Sequence, residues 1–159
     1  MSIPDHHLQS LQTAPQIVAP NTSTRYAARM MHDSHVGALI VIDDEKRPIG
    51  IVTDRDLALH VLTNGLDPEK TTVGDCMSAP PIVLPRSADL SLASTLMRRH
   101  GVRRLPIVDD EGKLVGVITA DDMVLLLGRE LSELSAAVQR GFALELSGHT
   151  TSASIFGKE

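Results

Sequence analysis

Two kinds of hydrophobic pattern alternate along this chain, and the whole alternation is written twice. Residues 38–42 and 105–108 are continuous apolar runs of strand length. Each is followed by a polar turn (43–47, 109–113) and a second apolar run (49–52, 114–118), which predicts a β-hairpin in each half. Upstream, Ala27, Met30 and Met31 in one half, and Leu92, Ala93, Leu96 and Met97 in the other, recur at helical spacing. Cap-forming residues precede both segments: Asn21, Thr22 and Ser23 in the first, Ser87 and Asp89 in the second. Short apolar strands at 17–18 and 82–84 come before them. A final helix begins after Thr53 and again after Thr119. The first stops near Asn64-Gly65, an ordinary helix-ending pair. The second runs on, and Leu127, Leu131, Leu134 and Val138 draw one apolar stripe along it.

The halves align without a gap at an offset of 66 positions (Val36 to Val102, Gly50 to Gly116). Each copy reads β-α-β-β-α. A unit of about 60 residues is marginal alone, so the copies are expected to share one core. The fold class is therefore mixed α/β (α+β): two pseudo-twofold-related motifs in one module, with an extended C-terminal helix. Expected bounds are 7–64 for the first motif, 65–72 for a linker and 73–135 for the second motif. Residues 136–159 form the helical extension and a Ser/Thr/Gly-rich tail, expected to be mobile from 147 on. A lead-in turn at 73–77 opens the second copy, with 7–11 as its counterpart. Gly50 and Gly116 sit early in the hairpins' second strands, where a missing side chain admits a close neighbour.

Composition narrows the function classes. Apolar content of 42% with 22% charged residues describes a soluble globular protein. No apolar run is long enough to span a bilayer, and the first residues lack an export signal, so a cytoplasmic location and no membrane partner are expected. A net charge of −5, no Trp and only Tyr26, Phe142 and Phe156 as aromatics argue against nucleic acid. Cys76 is the sole cysteine, which excludes an intramolecular disulfide and suits a reducing compartment. The seven histidines show no ligand spacing, so no metal site is expected. No nucleophile elbow or triad stands out, so no catalytic residue is assigned and the chain is not expected to be an enzyme.

One motif occurs at the same place in both copies: Gly50-Ile51-Val52-Thr53-x-x-Asp56 and Gly116-Val117-Ile118-Thr119-x-x-Asp122. With the stretch Val102-Arg103-Arg104-Leu105-Pro106-Ile107-Val108-Asp109 and the lead-in Val73-Gly74-Asp75-Cys76-Met77-Ser78, the chain resembles a tandem pair of CBS domains, a Bateman module, over roughly residues 7–135. The resemblance implies a disc-like pair of motifs with two clefts that hold adenosine compounds: AMP, ADP, ATP, S-adenosylmethionine or a dinucleotide. It also implies a regulatory module that performs no chemistry and requires no cofactor.

The residues support a ligand site on their own terms. Thr53 and Thr119 stand where a strand passes into a helix, so free N–H groups and the helix dipole favour phosphate there. Asp56 and Asp122, one turn along, can accept bonds from ribose hydroxyls. The same Thr-x-x-Asp spacing also makes a capping box, in which the carboxylate reaches back to its own helix end. Arg103 and Arg104 open a strand in copy two, where a guanidinium can grip phosphate with two donors. Copy one has Gly37 and Ala38 there, so the clefts are expected to be unequal. The reading groups Thr119, Asp122, Arg103 and Arg104 in the stronger phosphate cleft, walled by residues 9–17. It groups Thr53 and Asp56 in the weaker one, facing residues 75–83. With no effector domain in this sequence, output would pass in trans to another, regulated protein. The 127–138 stripe favours a homodimer over simple core covering. The alternative is a structural dimerisation module with unoccupied clefts.

Overall fold

A computed structural model describes residues 14–152, with side chains to residue 145. The chain divides into two units, one up to Ala120 and one from Asp121. The first holds both sequence repeats as two three-stranded sheets. Sheet one runs β1 (Ile17–Val18), β2 (Ala38–Ile42), β3 (Pro48–Thr53); sheet two runs β4 (Leu84–Pro85), β5 (Arg104–Val108), β6 (Leu114–Thr119). In each, the first strand pairs parallel and the hairpin antiparallel. Both hairpins shift register at the same point, between Val41 and Ile42 and between Ile107 and Val108.

Helix α1 (Thr24–Asp33) begins at Ser23, whose side chain accepts from the Tyr26 N–H. Helix α2 (Asp54–Leu57) continues into a π-helical turn, Ala58–Leu62. The single turn α3 (Val73–Cys76) forms the lead-in to copy two. Helix α4 (Leu90–His100) starts at Asp89, which accepts from the Leu92 N–H, and ends at left-handed Gly101. The core follows the repeat, because buried positions recur 66 residues apart. Ala27 and Ala93, Met31 and Met97, Leu39 and Leu105, Val41 and Ile107, and Val52 and Ile118 are all buried.

Copy two begins inside copy one. Val73 and Gly74 donate N–H bonds to the Thr22 and Pro20 carbonyls, at 2.8 Å each. Ser78 and Ile51 exchange a pair of backbone bonds at 2.9 and 3.0 Å. Met77 and Ser78 thereby lie against Gly50, where an added Cβ would stand 2.5 Å from Met77 Sδ and 3.1 Å from the Ser78 carbonyl oxygen. The missing side chain admits this strap, as the strand pattern suggested for Gly50. The linker is tied down as well: Thr24 is buried, and its Oγ1 donates to the Pro68 carbonyl at 3.0 Å.

Two boundaries differ from the sequence reading. The second copy's first strand is Leu84–Pro85, not 82–84, because it pairs only where Leu84 meets Ile107; Ile82 borders a cavity instead. The C-terminal helix α5 (Ala120–Ser152) runs past the expected start of the tail, and residues 153–159 lie outside the described residues. On α5, from Asp121 onward, Leu127, Leu131, Leu134, Val138 and Phe142 are exposed.

The hairpin turns allow a direct test of the repeat. Lys46 adopts φ 64° and Gly112, its counterpart, φ 79°; each N–H donates to the aspartate carbonyl three residues back (Asp43, Asp109). A left-handed conformation costs a residue with a Cβ roughly 1–2 kcal/mol, and glycine's greater unfolded freedom offsets part of that. Lys46→Gly is therefore expected to raise stability by about 0.5–1 kcal/mol. An unchanged or lowered urea midpoint would contradict this account of the turn.

Candidate functional site

The strand–helix junction of copy one builds half of a cavity of about 640 Å³. Ile51, Thr53, Asp54, Arg55 and Asp56 border one side. Ser78, Pro80, Pro81 and Ile82 border another, followed by Gly101, Val102, Arg103 and Arg104 where α4 turns into β5. Gly37 completes the lining. The cavity thus combines an aliphatic surface, a helix tip, two carboxylates and three guanidinium groups.

The helix tip is organised by a reciprocal cap. Thr53 N–H and Oγ1 donate to Asp56 Oδ2 at 2.9 and 2.7 Å, and the Asp56 N–H donates to Thr53 Oγ1 at 3.1 Å. The capping box anticipated from the spacing is therefore present, and it stands beside an open cavity. These roles are compatible because both bonds from Thr53 use Oδ2, whereas a carboxylate offers about four acceptor positions over two oxygens. The Oδ1 atom keeps the remaining acceptor positions of the carboxylate. Asp54 Oδ1 accepts from the Arg55 N–H at 2.7 Å, and the Asp54 N–H donates to the Gly37 carbonyl at 3.1 Å.

Arg103 and Arg104, grouped from sequence with Thr119 and Asp122, also border the cavity of Thr53 and Asp56. The sequence assigned the arginines to Thr119 and Asp122 because they share a repeat. In space, the start of copy two's strand borders the helix tip of copy one. Gly37 and Arg103, one repeat apart, line the same cavity. Thr119 pairs with Arg104 across β5 and β6, and Asp122 lies in the first turn of α5. Residues 9–13 of the wall expected beside Thr119 lie outside the described residues. The segment facing Thr53 and Asp56 is, as expected, part of 75–83. Asp54 and Arg55 were not singled out as ligand residues; they occupy the two variable positions of Thr-x-x-Asp, where the Asp54 carboxylate is explained by a first helical turn.

Neighbouring groups are tuned without joining the cavity. The Thr72 hydroxyl and N–H both bond Asp75 Oδ2, at 2.7 and 2.8 Å, and hold its carboxyl below the ordinary aspartate range. Burial, then the charges of Asp75 and Asp56, push the Cys76 thiol up, so it carries little thiolate near neutral pH. Among the described residues no group of three or more histidine, cysteine or acidic side chains could hold a metal ion. No helix among them is long and apolar enough to cross a membrane.

Two hairpin-and-helix repeats, with a cavity between a strand–helix junction of one and a strand start of the other, define a tandem-domain architecture. The chain belongs to the CBS domain family, whose sequence profile matches residues 9–63 and 73–129. It is 35% identical over 116 residues to the CBS domain-containing protein YhcV of Bacillus subtilis, covering 73% of this chain and 81% of that one. It is 36% identical over 106 residues to a protein of Methanopyrus kandleri, where the match covers 67% of this chain but only 54% of the relative. Among solved structures, CBSX2 of Arabidopsis thaliana in complex with AMP superposes with a TM-score of 0.64 at 32% identity, covering 76% of this chain and 94% of that one.

Proposed function

We propose that this protein is a regulatory module that binds an adenosine-type nucleotide in the cavity of Thr53, Asp56, Arg103 and Arg104. It signals occupancy to another protein in trans and assembles as a homodimer. One observation carries the reading: a carboxylate at a helix tip and a pair of guanidiniums from the other repeat border one cavity. The carboxylate suits ribose hydroxyls, the arginines suit phosphate, and Ile51, Pro80, Pro81 and Ile82 offer apolar surface to a base. The AMP complex of CBSX2 supports this ligand class. Thr119 and Asp122 carry the second copy of the motif and are proposed as ligand residues as well. S-adenosylmethionine belongs to the same ligand class, although its sulfonium gains nothing from paired arginines.

AMP at one hundred times Kd is expected to stabilise the protein by about 2.7 kcal/mol. For a domain of this size that raises Tm by roughly 5–10 °C. A thermal-shift panel of AMP, ADP, ATP and S-adenosylmethionine checks it. No shift with any of the four would favour the second reading, a dimerisation module with unoccupied clefts, which draws its support from the exposed stripe of α5 and the cap that engages Asp56.

A further inference from the structure

The backbone donors at the strand–helix step of copy one are already engaged. The N–H groups of Thr53, Asp54, Arg55 and Asp56 donate in turn to Asp56 Oδ2, the Gly37 carbonyl, Asp54 Oδ1 and Thr53 Oγ1, at 2.9, 3.1, 2.7 and 3.1 Å. Two carboxylates thus stand where the sequence suggested a phosphate, and like charges repel. Side-chain cations remain to hold one. Arg55 supplies a guanidinium from the first turn of α2, and Arg103 and Arg104 supply two from the start of β5 in the other copy. The Arg55 and Arg104 guanidiniums form no ion pair among the described residues.

Positive charge also continues outward from this rim. Helix α4 ends in Arg98, Arg99 and His100, all exposed, and the chain then passes through Gly101 and Val102 of the cavity wall to Arg103 and Arg104. Five of the seven residues 98–104 are basic and none is acidic, in a chain of net charge −5. The helix dipole accounts for the cations that end α4. It does not account for Arg55, Arg103 or Arg104, which lie outside that turn. A single guanidinium can grip a phosphate with two donors. Cations on two separate elements are therefore more than one phosphate employs.

We propose that the cavity selects nucleoside polyphosphates over the monophosphate, and that Arg55 is the residue that discriminates. The first phosphate rests on the β5 arginines, and Arg55 takes a later one. The basic rim then favours a lengthening phosphate chain, since a cleft lined by one sign of charge focuses its field on the ligand. This inference rests on the nucleotide site proposed above and names the ligand class that the site prefers.

Calorimetric titration of the full chain with AMP, ADP and ATP, at low salt and without divalent cations, tests it. ATP is expected to bind about tenfold or more tightly than AMP, with ADP between them, which is the worth of a further charge-assisted contact. Arg55→Gln should weaken ATP by about tenfold and bring the ATP-to-AMP ratio close to one, whereas Arg55→Lys, which keeps the charge, should retain part of the preference. The ratio compares two ligands on one variant, so partial misfolding, which lowers the active fraction for both, leaves it unchanged. Wild-type protein that binds AMP as tightly as ATP overturns the proposal while the nucleotide site stands. An Arg55→Gln variant with the wild-type ratio removes Arg55 from the role. Binding of none of the three nucleotides ends the site reading itself, and this inference with it.

Discussion

Replacing Asp56 with alanine should weaken AMP binding by about tenfold or more, because a hydrogen bond to a charged acceptor contributes roughly 1.5–3 kcal/mol. The same substitution removes the reciprocal cap with Thr53, so the ligand-free protein should also lose about 1 kcal/mol of stability. The two effects must be separated, and the structure contains its own control. Thr72 and Asp75 form an equivalent box, with both Thr72 donors on Asp75 Oδ2, and Asp75 does not border the cavity. Asp75→Ala should lower the apo melting temperature without changing the calorimetric Kd for AMP. Equal effects of the two substitutions on Kd would mean that Asp56 serves only as a helix cap.

Gly50→Val should destabilise the protein by about 1–3 kcal/mol, the usual range for overfilling a packed site. The first added carbon would stand 2.5 Å from Met77 Sδ, 3.0 Å from Met77 Cγ and 3.1 Å from the Ser78 carbonyl oxygen. The thioether can swing aside. The Ser78 backbone cannot follow without straining its paired bonds to Ile51. Ser78 also borders the candidate cavity, so the substitution should reduce AMP affinity as well as stability. Met77→Ala in the same chain should recover part of the loss, since neighbours sharing one space are not additive. A urea denaturation series over the single and double variants measures that coupling. An unshifted midpoint for Gly50→Val would show that the strap yields freely at Gly50.

The parts of the fold that depend on local pattern were readable from the chain. Both hairpins follow from apolar runs split by polar turns, and the buried alanine and methionine positions of α1 and α4 follow from helical spacing. Ser23 and Asp89 are cap-forming residue types ahead of helical segments, and both cap. Pairing information is different in kind. The parallel strand of copy two is set by where Leu84 finds Ile107, a partner 23 residues away (107 − 84), and nothing in residues 82–84 encodes that choice. The π-helical turn at Ala58–Leu62 has no sequence signature either. The site shows the same division. Thr53, Asp56, Arg103 and Arg104 were singled out by residue type and motif, but the company they keep depends on how one copy lies against the other. Sequence adjacency does not reveal that the arginines also border the Thr53–Asp56 cavity, because that cavity is assembled across the repeat rather than within it.

The strap that fills the space over Gly50 belongs to the neighbouring copy. Cutting the chain at residue 72 would therefore leave the first half with an open seam along β3, a place for any strand that fits.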